Sequence, residues 1–137
     1  MFDVTVERRL PADPTTVWAT IGDFNALADW HPAIAACRSE GGGHVRRLTF
    51  SGGGEVVEWL VEQDEQAMNY TYLLEQPGPL PVQQYMVTLE AVPATRGETD
   101  VMWSGQFEPS GDADQAQRLV TDVFQQGLNN LKTLFQS

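Results

Sequence analysis

Phe2, Val4 and Val6 alternate with Asp3, Thr5 and Glu7, the period of a strand with one buried face, and this strand ends near Leu10-Pro11. Asp13-Pro14 then predicts a helix start, with Asp13 as N-cap and Pro14 at the first helical position. Val17, Trp18 and Ile21 form its apolar stripe and Gly22 ends it. A second short helix after Asp23 places Phe24, Leu27 and Trp30 on one side until Pro32 stops it. Strand character returns over 34–39. Beyond Gly41-Gly42-Gly43, residues 45–51 and 55–61 alternate around Gly52-Gly53-Gly54, which predicts a β-hairpin.

Three more strands follow in the pattern. Residues 69–75 align Tyr70, Tyr72 and Leu74; 83–92 align Tyr85, Val87 and Leu89; 100–107 align Val101, Trp103 and Phe107. Pro77-Gly78-Pro79-Leu80-Pro81 forms a stiff connection. From about Gly111 the period becomes helical. Ala116, Leu119, Val120, Val123, Phe124, Gly127, Leu131, Leu134 and Phe135 make one wide apolar face. The order is strand, two short helices, six strands, long helix. It predicts an α+β domain spanning 1–137, a seven-stranded twisted antiparallel sheet wrapped around the C-terminal helix. One helix against a wide curved sheet leaves space between them. Gly127, in the apolar stripe, removes side-chain volume there, so an open cavity is expected.

The hairpin carries the candidate chemistry. Leu48 and Phe50 mark the buried row of its first strand, and Arg46 shares that row. A guanidinium on a core-facing row is costly unless it is paired or borders a wet cavity. Glu58, in phase with Val56 and Leu60, is the candidate counter-ion. Val57, Trp59 and Val61 form the opposite row, and by apolar count that row would take the interior. A bulge near the Gly-rich turn would also change the parity. Alternation alone therefore leaves Glu58 open between the interior and the outer surface.

Composition narrows the function classes. A chain of 137 residues, 42% hydrophobic and 20% charged, is one globular domain able to bury its own core. A net charge of −11 with only eight Lys and Arg, and no basic run, opposes nucleic acid and anionic lipid surfaces as partners. The lone Cys37 excludes an internal disulfide and fits a reducing compartment. The N-terminus lacks the plan of a signal peptide and no apolar run approaches membrane-spanning length, so a cytoplasmic location without membrane insertion is expected. Two histidines and one cysteine have no ligand spacing, so neither a metal nor another cofactor is expected. No nucleotide-binding glycine motif or nucleophile elbow occurs. His31, before Pro32, reads as a helix-terminal feature with proton transfer as the sharper alternative.

The segments VWATIGDFNALADWHP at 17–32, GHVRRLTF at 43–50, VVEWLVEQD at 56–64, LPVQQYMVTLEAVP at 80–93 and VMWSGQFEP at 101–109 resemble the START-like superfamily, also called SRPBCC. The resemblance covers essentially the whole chain and implies the helix-grip fold. It is closest to the branch that includes bacterial polyketide cyclase/dehydrase-type proteins and plant lachrymatory-factor synthase. In that synthase an arginine, a glutamate and a tyrosine serve as acid/base residues. The matching positions here are Arg46, Glu58 and Tyr85, and the resemblance thereby turns Glu58 toward the cavity. Residues 86–89 read MVTL where the synthase has V-A-T, so the specialised substrate is not carried over.

These readings imply a pocket for a small hydrophobic or polyketide-like molecule with a polar head. Its expected apolar lining is Trp30, Leu48, Phe50, Leu60, Tyr70, Tyr72, Val87, Trp103, Phe107, Val123 and Gly127. A cyclase, dehydratase or isomerase using Arg46, Glu58 and Tyr85 in the same pocket is the alternative. A third is an interaction module that contacts partners at the cavity mouth. The expected assembly is a monomer or homodimer.

Overall fold

The computed structural model describes residues 1–136. Strand β1 (Phe2–Leu10) is followed by helix α1 (Pro14–Ile21) and a 3-10 helix (Phe24–Asp29). The remaining strands are β2 (Ile34–Glu40), β3 (Val45–Phe50), β4 (Glu55–Asp64), β5 (Asn69–Gln76), β6 (Val82–Pro93) and β7 (Thr99–Pro109), and helix α2 (Ala113–Phe135) closes the chain. All seven strands form one antiparallel sheet in the order β1-β7-β6-β5-β4-β3-β2. Strands β2 to β7 are thus successive neighbours, and β1 joins at the far edge beside β7. The two short helices carry the chain from one edge of the sheet to the other. This is the expected helix-grip architecture.

Two local details differ from the sequence reading. The second short helix is of the 3-10 type, interrupted at Ala26, and Asp23 caps it by accepting from the Asn25 amide. Asp13 stands at the N-cap of α1 without a side-chain hydrogen bond, so Pro14 and the backbone alone define that start.

The inner face of the sheet is built from rows that run across the strands. Tyr70, Leu89, Trp103 and Val6 are register partners in one row, and Tyr72, Val87, Gly105 and Val4 in the next. Helix α2 lays Ala116, Val120, Phe124, Gly127, Leu128 and Leu131 against this face. Phe124 stacks on Trp103 with centroids 4.7 Å apart, close over Gly105, where a Cβ would lie 3.2 Å from the Phe124 ring. Leu134, expected in the same stripe, is exposed, and Phe135 beside it is the last residue of the helix to pack against the core.

The helix is tied to the segment after the 3-10 helix. The His31 Nε2–H donates to the Val123 carbonyl at 2.6 Å, and Asn130 Nδ2 donates to the Trp30 carbonyl at 2.9 Å. The His31 Nδ1 accepts from the Ala33 amide, which fixes the neutral tautomer. Burial lowers the His31 pKa, with the Val123 bond opposing and Arg46 assisting. His31 is therefore a neutral clamp and not a solvent-accessible acid.

This clamp corrects the role expected of Gly127. A Cβ at that position would lie 2.6 Å from His31 Cδ2 and 2.8 Å from a Trp103 ring carbon. The volume that glycine gives up is taken by those two rings.

Candidate functional site

Arg46 and Glu58 are direct cross-strand partners on β3 and β4. Both are interior, Arg46 fully buried and Glu58 only 4% exposed. The β3–β4 register runs without a shift, so Glu58 stays in phase with Val56, while Val57, also buried, belongs to the other row and lies outside the main core. Trp59 and Val61, whose row had the higher apolar count, are 50% and 53% exposed on the outer face. The Glu58 side chain is thus inside.

The guanidinium is held on every side. Its Nε donates to Glu58 Oε1 at 2.8 Å, and Nη1 donates to the Phe24 carbonyl at 2.8 Å and, weakly, to the Tyr70 hydroxyl at 3.5 Å. Its carbon lies 4.1 Å from the Phe24 ring centroid and 4.6 Å from that of Tyr72, both within cation–π range. Nη2 also approaches Glu58 Oε1 at 2.8 Å, but without the alignment of a hydrogen bond. Two nitrogens therefore crowd one oxygen in place of a two-oxygen fork. Glu58 Oε2 has no hydrogen-bonding partner among the described residues.

The electrostatics divide the pair. Burial disfavours the Arg46 charge, but Glu58 and then Tyr70 and Tyr72 outweigh it, so the guanidinium stays protonated. Burial pushes Glu58 above the usual carboxylate range against the opposing pull of Arg46. Tyr85 is pushed well above the usual phenol range by burial and then by the Glu58 charge, so its hydroxyl keeps its proton. The arrangement holds a permanent cation, a carboxyl group biased toward taking a proton, and a phenol O–H that makes no hydrogen bond among the described residues.

The other expected lining residues divide into groups. Leu48, Tyr70, Tyr72, Val87, Trp103, Phe107 and Trp30 are buried in one core with the pair. Tyr72 accepts from Trp103 Nε1 at 3.0 Å, while the Trp30 indole N–H has no partner among the described residues. Phe50 and Leu60 are only half-buried, and Leu60 borders a surface depression beside α1. Val123 contributes its carbonyl to His31, with its side chain half-buried. His44 is exposed and Cys37 half-buried.

Sequence reasoning missed Phe24. It stood only as an apolar helix position, yet both its ring and its carbonyl hold Arg46. The carbonyl of Phe24, at the start of the 3-10 helix, accepts from Arg46, a role that strand or helix periodicity does not report.

A curved antiparallel sheet gripping one long helix, with two short helices after the first strand, defines a START-like, helix-grip protein. The chain belongs to the family described as polyketide cyclase / dehydrase and lipid transport, whose family model matches residues 1–136. Protein XoxI from Bacillus cereus is 31% identical, with 98% of this chain and 96% of that one covered, at a TM-score of 0.95. The Zhui aromatase/cyclase from Streptomyces sp. R1128 is 17% identical, with 97% and 92% covered and a TM-score of 0.79. A START superfamily protein from Mycobacterium smegmatis is 16% identical, with 97% and 96% covered and a TM-score of 0.78. The latter two likenesses concern the fold alone. No functionally curated protein matches the sequence. No helix among the described residues is long and apolar enough to cross a membrane.

Proposed function

We propose that this protein binds a small, largely apolar molecule through a polar oxygen placed between Glu58 and Tyr85, in the interior bounded by the sheet and α2. The observation that carries this reading is the half-engaged carboxylate. Glu58 gives one oxygen to Arg46 and keeps the other free, on the small part of the side chain that stays open to solvent. Tyr85 adds a hydroxyl donor. Arg46 acts as the fixture that holds Glu58, since its own donors are engaged or enclosed. Family membership supports a hydrophobic ligand, because the family's description includes lipid transport.

A second reading is favoured by the upward push on Glu58. A carboxylate whose proton affinity is raised is suited to general acid/base work on an enolisable polyketide-like substrate, with Tyr85 donating to the developing oxyanion. This is the cyclase, dehydratase or isomerase alternative.

Native mass spectrometry of the purified protein tests the binding reading. A bound mass released on unfolding is expected, with occupancy reduced in Glu58→Gln. Equal occupancy in both proteins would remove Glu58 from the site. Incubation with a panel of enolisable ligands separates the enzyme: product formation abolished in Glu58→Gln, with binding largely retained, is its signature.

A further inference from the structure

Strands β5 and β6 pair from Asn69↔Glu90 to Leu73↔Met86 and then part. Beyond that point β5 stays with β4 as far as Val57↔Gln76, and β6 stays with β7 from Val82↔Pro109. The link between them swings away over the β3–β4 hairpin. Gly78 allows this, because at its positive φ a Cβ would fall far inside contact distance of the Glu55 carbonyl.

The parting forms a depression of about 350 Å³ lined by residues that include Leu73, Leu74, Gln83, Gln84, Tyr85 and Met86. Leu73 and Met86 belong to the exposed outer row, whereas Tyr85 belongs to the core. Leu74, packed against that core, is the register partner of Glu58. The depression is therefore lined from both faces of the sheet, and Leu74 on its wall is the strand neighbour of Glu58. Tyr85, 5% exposed and without a hydrogen-bonding partner for its hydroxyl, is at its floor.

We infer that the ligand enters and leaves the interior through the parting of β5 and β6, and that this route selects an uncharged, largely apolar molecule. The inference rests on the binding reading above and adds its path and its charge preference. No register pair joins 74–76 to 82–85, so widening the gap there breaks no ladder bond. The depression beside α1, about 410 Å³, is tied across instead. Trp18 Nε1 donates to Glu65 Oε2 at 2.6 Å, and Gln63 Nε2 donates to the Gly22 carbonyl at 2.9 Å. Entry there would cost those bonds.

Amides, two thioethers, aliphatic groups and one phenol surround the gap, and the one charged group on its lining, the Met1 ammonium, is paired with Glu108 Oε1 at 3.3 Å. A cation finds no free counter-ion there, and an anion meets a cation already neutralised and is opposed by the net charge of −11. The depression beside α1, by contrast, carries Asp23 and Glu65.

The test uses the full chain with Cys37→Ser, so that a single introduced cysteine can be labelled. Gln84→Cys carrying a bulky maleimide obstructs the gap, and Ala19→Cys with the same label obstructs the depression beside α1. The probe is the neutral dye N-phenyl-1-naphthylamine, followed by stopped-flow fluorescence. The label at position 84 should slow association and dissociation alike by about tenfold or more, with little change in Kd, and the label at 19 should change neither. Unchanged rates with position 84 labelled, or slowing at position 19 instead, would overturn the route while leaving the binding reading intact. Equally fast entry of the anionic 1-anilinonaphthalene-8-sulfonate would overturn the charge preference. No binding of the neutral dye to unlabelled protein would sink the binding reading and the route together.

Discussion

Arg46 and Glu58 should respond to mutation asymmetrically, because only one of them can shed its charge. Their side chains are 0% and 5% exposed, and water does not reach the guanidinium. Glu58→Ala leaves a cation that cannot deprotonate, retaining only the Phe24 carbonyl, the weak Tyr70 contact and the aromatic faces. The expected loss is on the order of 3–5 kcal/mol, the cost of orphaning one partner of a desolvated pair. Glu58→Gln keeps an acceptor in place and should cost less, about 1–3 kcal/mol.

Arg46→Met removes the cation and fills much of its volume. Glu58 can then neutralise itself by binding a proton, and its upward displacement grows because the opposing pull of Arg46 is gone. A carboxyl group with a raised folded pKa adds to stability below its unfolded value, near 4.5, and loses that contribution as pH rises through the folded value. The deficit of Arg46→Met relative to wild type should therefore be small near pH 4.5. It should widen toward neutrality by at most about 1.4 kcal/mol per pH unit. Urea unfolding of both variants at pH 4.5, 6 and 7.5 measures this. A pH-independent deficit for Arg46→Met, or a loss under about 1 kcal/mol for Glu58→Ala, would refute the claim that the pair is dry and charged.

Three further outcomes follow from the packing. Gly127→Ala gains helix propensity of about 1 kcal/mol but forces a Cβ into His31 and Trp103; denaturant unfolding should show a net loss of about 1–2 kcal/mol, and a stabilised variant would contradict the filled interface. His31, lowered by burial, makes stability complete above its unfolded pKa of 6.5 and erodes it as pH falls below that toward the folded value. The stability difference between pH 7.5 and 5.5 should accordingly be larger in wild type than in His31→Gln, and equal differences would exclude a buried neutral imidazole. Tyr72→Phe deprives Trp103 Nε1 of its acceptor and should cost about 1–3 kcal/mol in thermal or urea unfolding, with no measurable loss if that bond is absent.

The element order was legible because the inner rows alternate cleanly: Tyr70 with Tyr72, Tyr85 with Val87, and Val101 with Trp103 and Phe107 each keep the strand period. Glu58 was not assignable from its own strand. The outer face of an antiparallel sheet tolerates apolar residues such as Trp59 and Val61, and Val57 of the same row is buried outside the main core, so counting apolar positions favoured the wrong row. Arg46 was legible for the opposite reason, since its neighbours Leu48 and Phe50 left no ambiguity of side. Gly127 was misread because a sequence states the volume a residue lacks and is silent on what its neighbours bring. His31 and Trp103 come from segments 96 and 24 positions away and fill that space. Phe24 was invisible as a site residue because its decisive group is a backbone carbonyl, which every residue type carries.

The structure assigns different work to the two charges. Arg46, enclosed by two aromatic rings, a carbonyl and a carboxylate oxygen, has no freedom to follow a ligand, so its charge works as a fixed field. Glu58 is the adjustable member, because one oxygen is anchored and the other is not, and because burial and the fixed cation pull its proton affinity in opposite directions. A ligand hydroxyl that donates to Oε2 favours the ionised form, and a ligand oxygen that accepts from it favours the protonated form. Under the proposed function, the same pair would receive either kind of head group by moving one proton, with no change in the backbone. Binding and acid/base catalysis then differ in when the proton moves: once on association for a carrier, or in every turnover for an enzyme. This is why Glu58, and not the more deeply buried arginine, is the residue whose replacement separates the two functions.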